Sequence, residues 1–324
     1  MTRRRSPALA AVAVLAAAVL VACSPPLPEP QPDPPPAVLP PALSTGQLSE
    51  VLGDLAATVE NADGELDEDL LAPRVTGPAV DIRAAEYTLA DAGDDEAITA
   101  IPTSPQTLMV PATDTWPRTI MVVTEPPEDL QAPLLLTLVQ DDPRAPYRLW
   151  SWVRLFPGVQ MPATTQPEIG STDLGELAVP PDEVLERYVD LLTEEDDSEY
   201  VDDFIEDPLR SGIAATREAF SDLVGDNGTL AETYQALDDV HAVATADGGA
   251  IVIGVVRTVT TITLSDSTLT IGDQTAALLG EDTVESDLTI TWLSVVAFAV
   301  PPAGTDAPIE VLGAEHSRTE VSGE

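Results

Sequence analysis

Lysine does not occur in this chain: all fourteen basic residues are arginine, against 56 acidic ones, and the formal net charge is −42. The balance argues against nucleic-acid binding, because phosphate contacts need clusters of Lys and Arg. It argues equally against peripheral attraction to anionic lipid. A single cysteine, Cys23, rules out any intramolecular disulfide. Aromatic residues make up 4 % and there are two histidines, His241 and His316. No nucleophile elbow, phosphate loop, dinucleotide fingerprint or His-Glu-x-x-His zinc motif occurs, and nothing implies a cofactor. The acidic surplus serves solubility, with binding of cations or a basic partner as the alternative. Apolar content of 44 % is enough for packed cores, so the body folds.

The one cysteine sits where an apolar run meets a proline tract. Arg3, Arg4 and Arg5 precede fifteen uncharged apolar residues, 8–22. That is secretory signal geometry, since a spanning helix needs roughly 20 apolar residues. Leu20-Val21-Ala22-Cys23 then resembles the bacterial lipobox. The resemblance implies removal of residues 1–22, diacylglycerol on the Cys23 thiol, and an outward-facing lipid anchor in the cell membrane; two acyl chains suffice for stable anchoring. An ordinary cleaved signal with a chance Cys beside it is the alternative. Residues 24–41 carry ten prolines. Such a tract extends by about 3.1 Å per residue and holds a folded body on the order of 50 Å from the lipid. Residues 23–43 are read as the lipidated stalk.

The remaining length suits two domains. A Pro-rich connector, 157–181, separates residues 44–156 from 182–324, and each half reads as helices followed by strands. Val51, Leu52, Leu55, Ala56 and Val59 recur at helical spacing with Ser49 as candidate N-cap. Val184, Leu185, Tyr188, Leu191 and Leu192 do likewise behind Asp182. An acidic break follows each helix, at 60–69 and 194–203, and then a short apolar helix. Strands are expected at 119–124, 134–140, 147–156, 251–263, 288–300 and 309–321. The fold class is α+β, two tandem domains with N-terminal helices packed on a curved antiparallel sheet. This layout resembles the nuclear transport factor two-like cone. The whole pattern of lipobox, proline stalk and two such halves is similar to actinobacterial lipoproteins whose body is a domain of unknown function, with "LFPGVQMP" at the junction. Neither resemblance supplies functional residues.

Candidate chemistry is sparse. "YRLWSWVRLF" alternates with period two, placing Arg148, Trp150, Trp152 and Arg154 on one strand face. If that face lines a cone or meets solvent, it is a candidate binding face for a sugar ring or an anion. If it faces the core, the tryptophans fill it and the arginines snorkel at its rim, the reading the sequence favours. His241 follows Asp238 and Asp239 at the start of an expected strand; a cone-fold enzyme would use such a His/Asp pair for proton transfer. His316 lies beside Glu315 and Arg318 in the last strand. The alternating acids Asn61, Asp63, Glu65, Asp67 and Asp69 fail the EF-hand pattern at Leu66 and Ala72, so no metal is assigned and the run reads as a solvated loop.

These observations point to a non-enzymatic lipid-anchored envelope protein that binds or assembles. Its partners are then the membrane, through acylated Cys23, and an envelope protein or a small molecule. An enzyme of the cone-fold type is the alternative, marked by a deep pocket reached by His241 or His316 together with a carboxylate. A solute-binding lipoprotein is the third reading; that class has alternating βαβ units, which this order of elements lacks.

Overall fold

The first long helix, α1 (Thr45–Glu65), buries Leu48, Leu52, Leu55, Val59 and Ala62, a stripe stepping by four and three residues along one face. Its cap is Ser44 rather than Ser49: the Gln47 amide donates to Ser44 Oγ while Gln47 Oε1 accepts from the Ser44 amide, closing a capping box. The start was missed because Thr45, Gly46 and Gln47 carry no apolar periodicity. The apolar stripe runs on to Ala62, so Asn61, Asp63 and Glu65 are helical rather than part of a loop. The chain turns at Leu66, in the left-handed region with φ 52°. This computed structural model describes residues 39, 41–94, 96–126, 131–163, 174–265 and 267–323. Cys23 and the proline stretch to residue 38 lie outside them, as does part of the connector, 164–173.

A 3-10 turn (Glu68–Leu71) leads to α2 (Pro78–Asp91). Gly77 precedes α2 with φ +62°, and a Cβ there would stand 2.5 Å from Trp150 Cδ1. Only glycine meets both demands, because the conformation is left-handed and the indole occupies the space. Four strands follow: β1 (Pro105–Met109), β2 (Arg118–Thr124), β3 (Leu134–Gln140) and β4 (Arg148–Leu155). The second half opens on α3 (Pro181–Glu194) and α4 (Pro208–Val224). Asp207 caps α4, accepting from the Arg210 amide at 2.9 Å. Then come β5 (Gly228–Ala236), β6 (His241–Ala244), β7 (Ala250–Leu264), the small hairpin β8 (Leu269–Thr270) and β9 (Thr283–Val284) around α5 (Asp273–Leu279), and finally β10 (Asp287–Val300) and β11 (Glu310–Gly323).

The α+β reading and the order of helices before antiparallel strands hold. The layout read from the sequence assigns each half its own curved sheet; in the structure the two are one nine-stranded surface, ordered β1-β2-β3-β4-β11-β10-β7-β5, with β6 also on β7. The join is short: Leu155 pairs with Gly313 and Arg154 with Ala314. Gly313 permits it, since a Cβ there would lie 2.4 Å from the Arg154 carbonyl oxygen. Joining the two edges satisfies backbone groups that separate sheets would leave exposed. The halves also meet where the sheet curls, because β6 lies against β2 and Thr119 Oγ1 stands 3.1 Å from His241 Nδ1.

The two halves nevertheless repeat one layout. An isolated antiparallel bridge precedes each opening helix by four residues, Pro41 to Ala112 and Leu177 to Pro302. A parallel bridge follows the 3-10 turn at Glu68–Leu71, Val75 to Leu149, and another follows the 3-10 turn at Val201–Asp203, Phe204 to Ile309. Each helical layer sits on its own apolar cluster. One joins α1 and α2 to β2, β3 and β4 around Trp152, and extends to Ile253 and Val295 of the other half. The second centres on Tyr188, Phe204 and Phe298, whose rings are 5.2–6.3 Å apart.

Candidate functional site

The candidate binding face on β4 is mostly interior. Trp150 is 4 % and Trp152 1 % exposed, and Leu149, Ser151 and Val153 on the opposite face are fully buried too. Trp150 packs edge-on against His241 at 4.4 Å. The flanking arginines are committed: Arg148 pairs with Asp141 at 2.6 Å, and Arg154 donates to the Ala132 carbonyl at 3.2 Å. The structure therefore places these four residues as core and rim. His241 Nε2 is buried without a hydrogen-bond partner, and neither Asp238 nor Asp239 bonds the ring. Burial pushes its pKa down against the charges of Asp239 and Asp141. No proton-transfer pair forms there.

His316 is different. It lines a pocket of about 450 Å3 bounded by α2, Asp94, residues 96–99, α5 and the edge of β11, with Glu86, Glu96, Trp292, Glu315 and Arg318. A β-bulge builds the pocket wall. Thr291 pairs with Glu320 but Trp292 pairs with Arg318, so Thr319 is the extra residue and the next side chains are re-aimed. The Trp292 and His316 rings then stack in parallel, 4.8 Å apart with 3° between planes. The Arg318 guanidinium lies 4.6 Å from the Trp292 ring centre. Ser294, fully buried, stands 2.7 Å from His316 Nδ1 and fixes the ring.

Behind this wall is a buried ionic hub. Arg83, 1 % exposed, donates to Glu86 Oε2 at 2.7 Å and to the Thr99 carbonyl at 2.9 Å. Its Nε is 3.6 Å from Asp63, which accepts from the Tyr87 hydroxyl at 2.7 Å. The guanidinium also lies 5.2 Å from the Trp152 ring centre. Glu315 accepts from Ser317 Oγ at 2.9 Å. Burial raises the pKa of Glu86, with Arg83 the main opposing charge, and raises that of Glu315, opposed by the Ser317 hydrogen bond and then by Arg154. Two strained carboxylates, a histidine and an arginine with displaced titration thus share one pocket. Such clustering marks functional sites more often than plain surface. The sequence flagged His316, Glu315 and Arg318 as neighbours; it gave no sign of Arg83, Glu86 or Trp292, which arrive from elements far apart in the chain.

Ser294 is the only hydroxyl bonded to a histidine in the pocket wall, and its full burial keeps any substrate carbonyl out of reach. No hydrogen bond joins His316 to a carboxylate among the described residues. Burial, and after it the Arg318 charge, pushes the His316 pKa down to about 4, while Glu232 opposes. The folded value lies below the ordinary 6.5, so the contribution to stability is complete above pH 6.5 and is lost as pH falls towards 4. Relative to His316→Gln, the wild-type protein should lose about 1–2 kcal/mol of stability between pH 7 and pH 5, by urea titration. Glu86 and Glu315 titrate in both proteins and drop out of the difference. A difference that stays flat with pH would remove the buried, neutral imidazole from this account.

A family profile described as a domain of unknown function (DUF8094) matches residues 39–323. The chain belongs to this family. The match covers both helical layers and the whole fused sheet, so the family unit is the body described above. No curated protein and no solved structure matches the chain.

Proposed function

We propose that this member of the family is a lipid-anchored extracytoplasmic protein whose body binds a small molecule and does not transform it. The observation that carries the binding half is the pocket at the β11 edge. There a fixed imidazole–indole stack and a guanidinium face a space of about 450 Å3, within the roughly 300–1,000 Å3 of small-molecule sites. The anchoring half rests on Leu20-Val21-Ala22-Cys23, which resembles a lipobox, and on the proline stretch after it. Among the described residues no helix is long and apolar enough to cross a membrane.

Two measurements on the whole chain test this. Cys23→Ser should move the protein out of the membrane pellet and into the supernatant after high-salt and carbonate washes. Persistence in the pellet would reject acylation as the anchor. Native mass spectrometry of the wild-type chain, incubated with a pool of small metabolites, should show a retained adduct of one small molecule. Loss of every adduct, at concentrations where weak binders are normally held, would reject the binding half.

A further inference from the structure

Acids outnumber arginines four to one here, so a buried arginine has every chance of finding a carboxylate. Nearly all do. Arg74, Arg83, Arg148, Arg187, Arg210 and Arg217 each make an ion pair. Arg118 and Arg154 donate to carbonyls, and Arg144 and Arg257 are exposed. Arg318 is the exception: it is the one half-buried arginine among the described residues with neither an ion pair nor a hydrogen bond. Its Nε is fully buried and unpartnered. A guanidinium held this way is costly unless something else completes it, and a planar fork is matched best by a carboxylate.

The same pocket holds the opposite imbalance. Of its four carboxylates, Glu86 is paired with Arg83, and Glu315 lies under the charges of Arg154 and Arg83. Asp94 and Glu96 have no arginine; Asp94 has only Gln274, whose Nε2 donates to it at 3.2 Å. The pocket lining therefore holds one arginine and two carboxylates without ion pairs, Glu96 of them exposed, beside the Trp292–His316 stack. Phosphate or a dianion would meet the acids unfavourably, and a simple amine would leave Arg318 unmatched.

We infer that the pocket takes a small zwitterion of the amino-acid class, its carboxylate on Arg318, its amine towards Asp94 and Glu96, and its side chain against Trp292. This rests on the binding reading above and names the ligand class of that site. Recognition is purely non-covalent. Arg318 is a ligand-binding residue kept at the expense of stability, as functional groups often are.

The experiment is a thermal melt of the full chain with millimolar L-leucine, 4-methylpentanoate, 3-methylbutylamine or inorganic phosphate. Leucine should raise Tm, and neither the acid nor the amine alone should match it. Arg318→Gln should raise the ligand-free Tm by roughly 2–4 °C, because an unmatched buried charge is gone, and should abolish the leucine shift. Asp94→Asn should shrink that shift while leaving the ligand-free Tm near wild type. The assignment falls if Arg318→Gln lowers the ligand-free Tm, if it keeps the leucine shift, or if phosphate or the acid alone works as well as leucine. Those failures leave the binding reading standing as long as native mass spectrometry still shows an adduct. Absence of any adduct removes both.

Discussion

Replacing Arg83 by methionine is expected to cost about 3–5 kcal/mol, a large share of the roughly 5–15 kcal/mol that holds a typical domain together. The side chain is 1 % exposed and ties α1, α2, the 96–99 segment and β4 through Asp63, Glu86, Thr99 and Trp152. Its loss leaves Glu86 buried with no counter-charge, which raises a carboxyl pKa already raised by burial. A raised folded pKa makes the protonated form the stable one, so the deficit should be smallest in mild acid and grow as pH rises. Denaturant titrations of Arg83→Met at pH 5 and pH 8 read this directly. Adding Glu86→Gln should recover part of the loss, since the stranded charge goes with it. A deficit independent of pH, with no recovery in the double variant, would show that Arg83 acts through packing alone.

Trp152→Ala should cost a comparable roughly 3–5 kcal/mol and lower Tm by on the order of 10 °C. The indole is 1 % exposed in the cluster shared by both halves, beneath the Arg83 guanidinium. Removing it opens a cavity that rigid strands on either side cannot close, and strips the ring from Arg83. A thermal melt decides the matter. A change of Tm under about 2 °C would mean that the β4 tryptophans are not core, and would restore the Arg148–Trp150–Trp152–Arg154 face as a place for a ligand. With the core outcome, the proposed ligand surface stays at the β11 edge, where Trp292 is only half-buried.

These two residues show where local sequence stops being informative. The alternation in "YRLWSWVRLF" correctly puts Arg148, Trp150, Trp152 and Arg154 on one face. It is silent on direction, because both faces of β4 are covered and Leu149, Ser151 and Val153 are as buried as the tryptophans. Period two separates the faces of a strand; it separates inside from outside only when one face meets water. The run 60–69 failed for a related reason. Its acids look like a loop, yet Val59 and Ala62 carry the apolar stripe onward and α1 follows the stripe.

By itself the sequence determined that helices open each half and antiparallel strands close it, since amphipathic spacing and Gly or Pro punctuation are short-range properties; β1, β5 and α5 carried no such signal. It also placed the single cysteine at the end of an apolar run and ahead of a proline tract, and it excluded disulfides. Tertiary structure alone decided that the strands of both halves form one sheet, because edge pairing at Leu155 and Gly313 depends on close approach between residues more than 150 positions apart. It alone assembled the pocket as well. Arg83 and Glu86 arrive on a helix, Trp292 and Arg318 on neighbouring strands across a bulge, and Arg318 stands out only once every other half-buried arginine is seen to have a partner. A missing counter-charge is a property of three-dimensional surroundings, and no spacing along the chain encodes it.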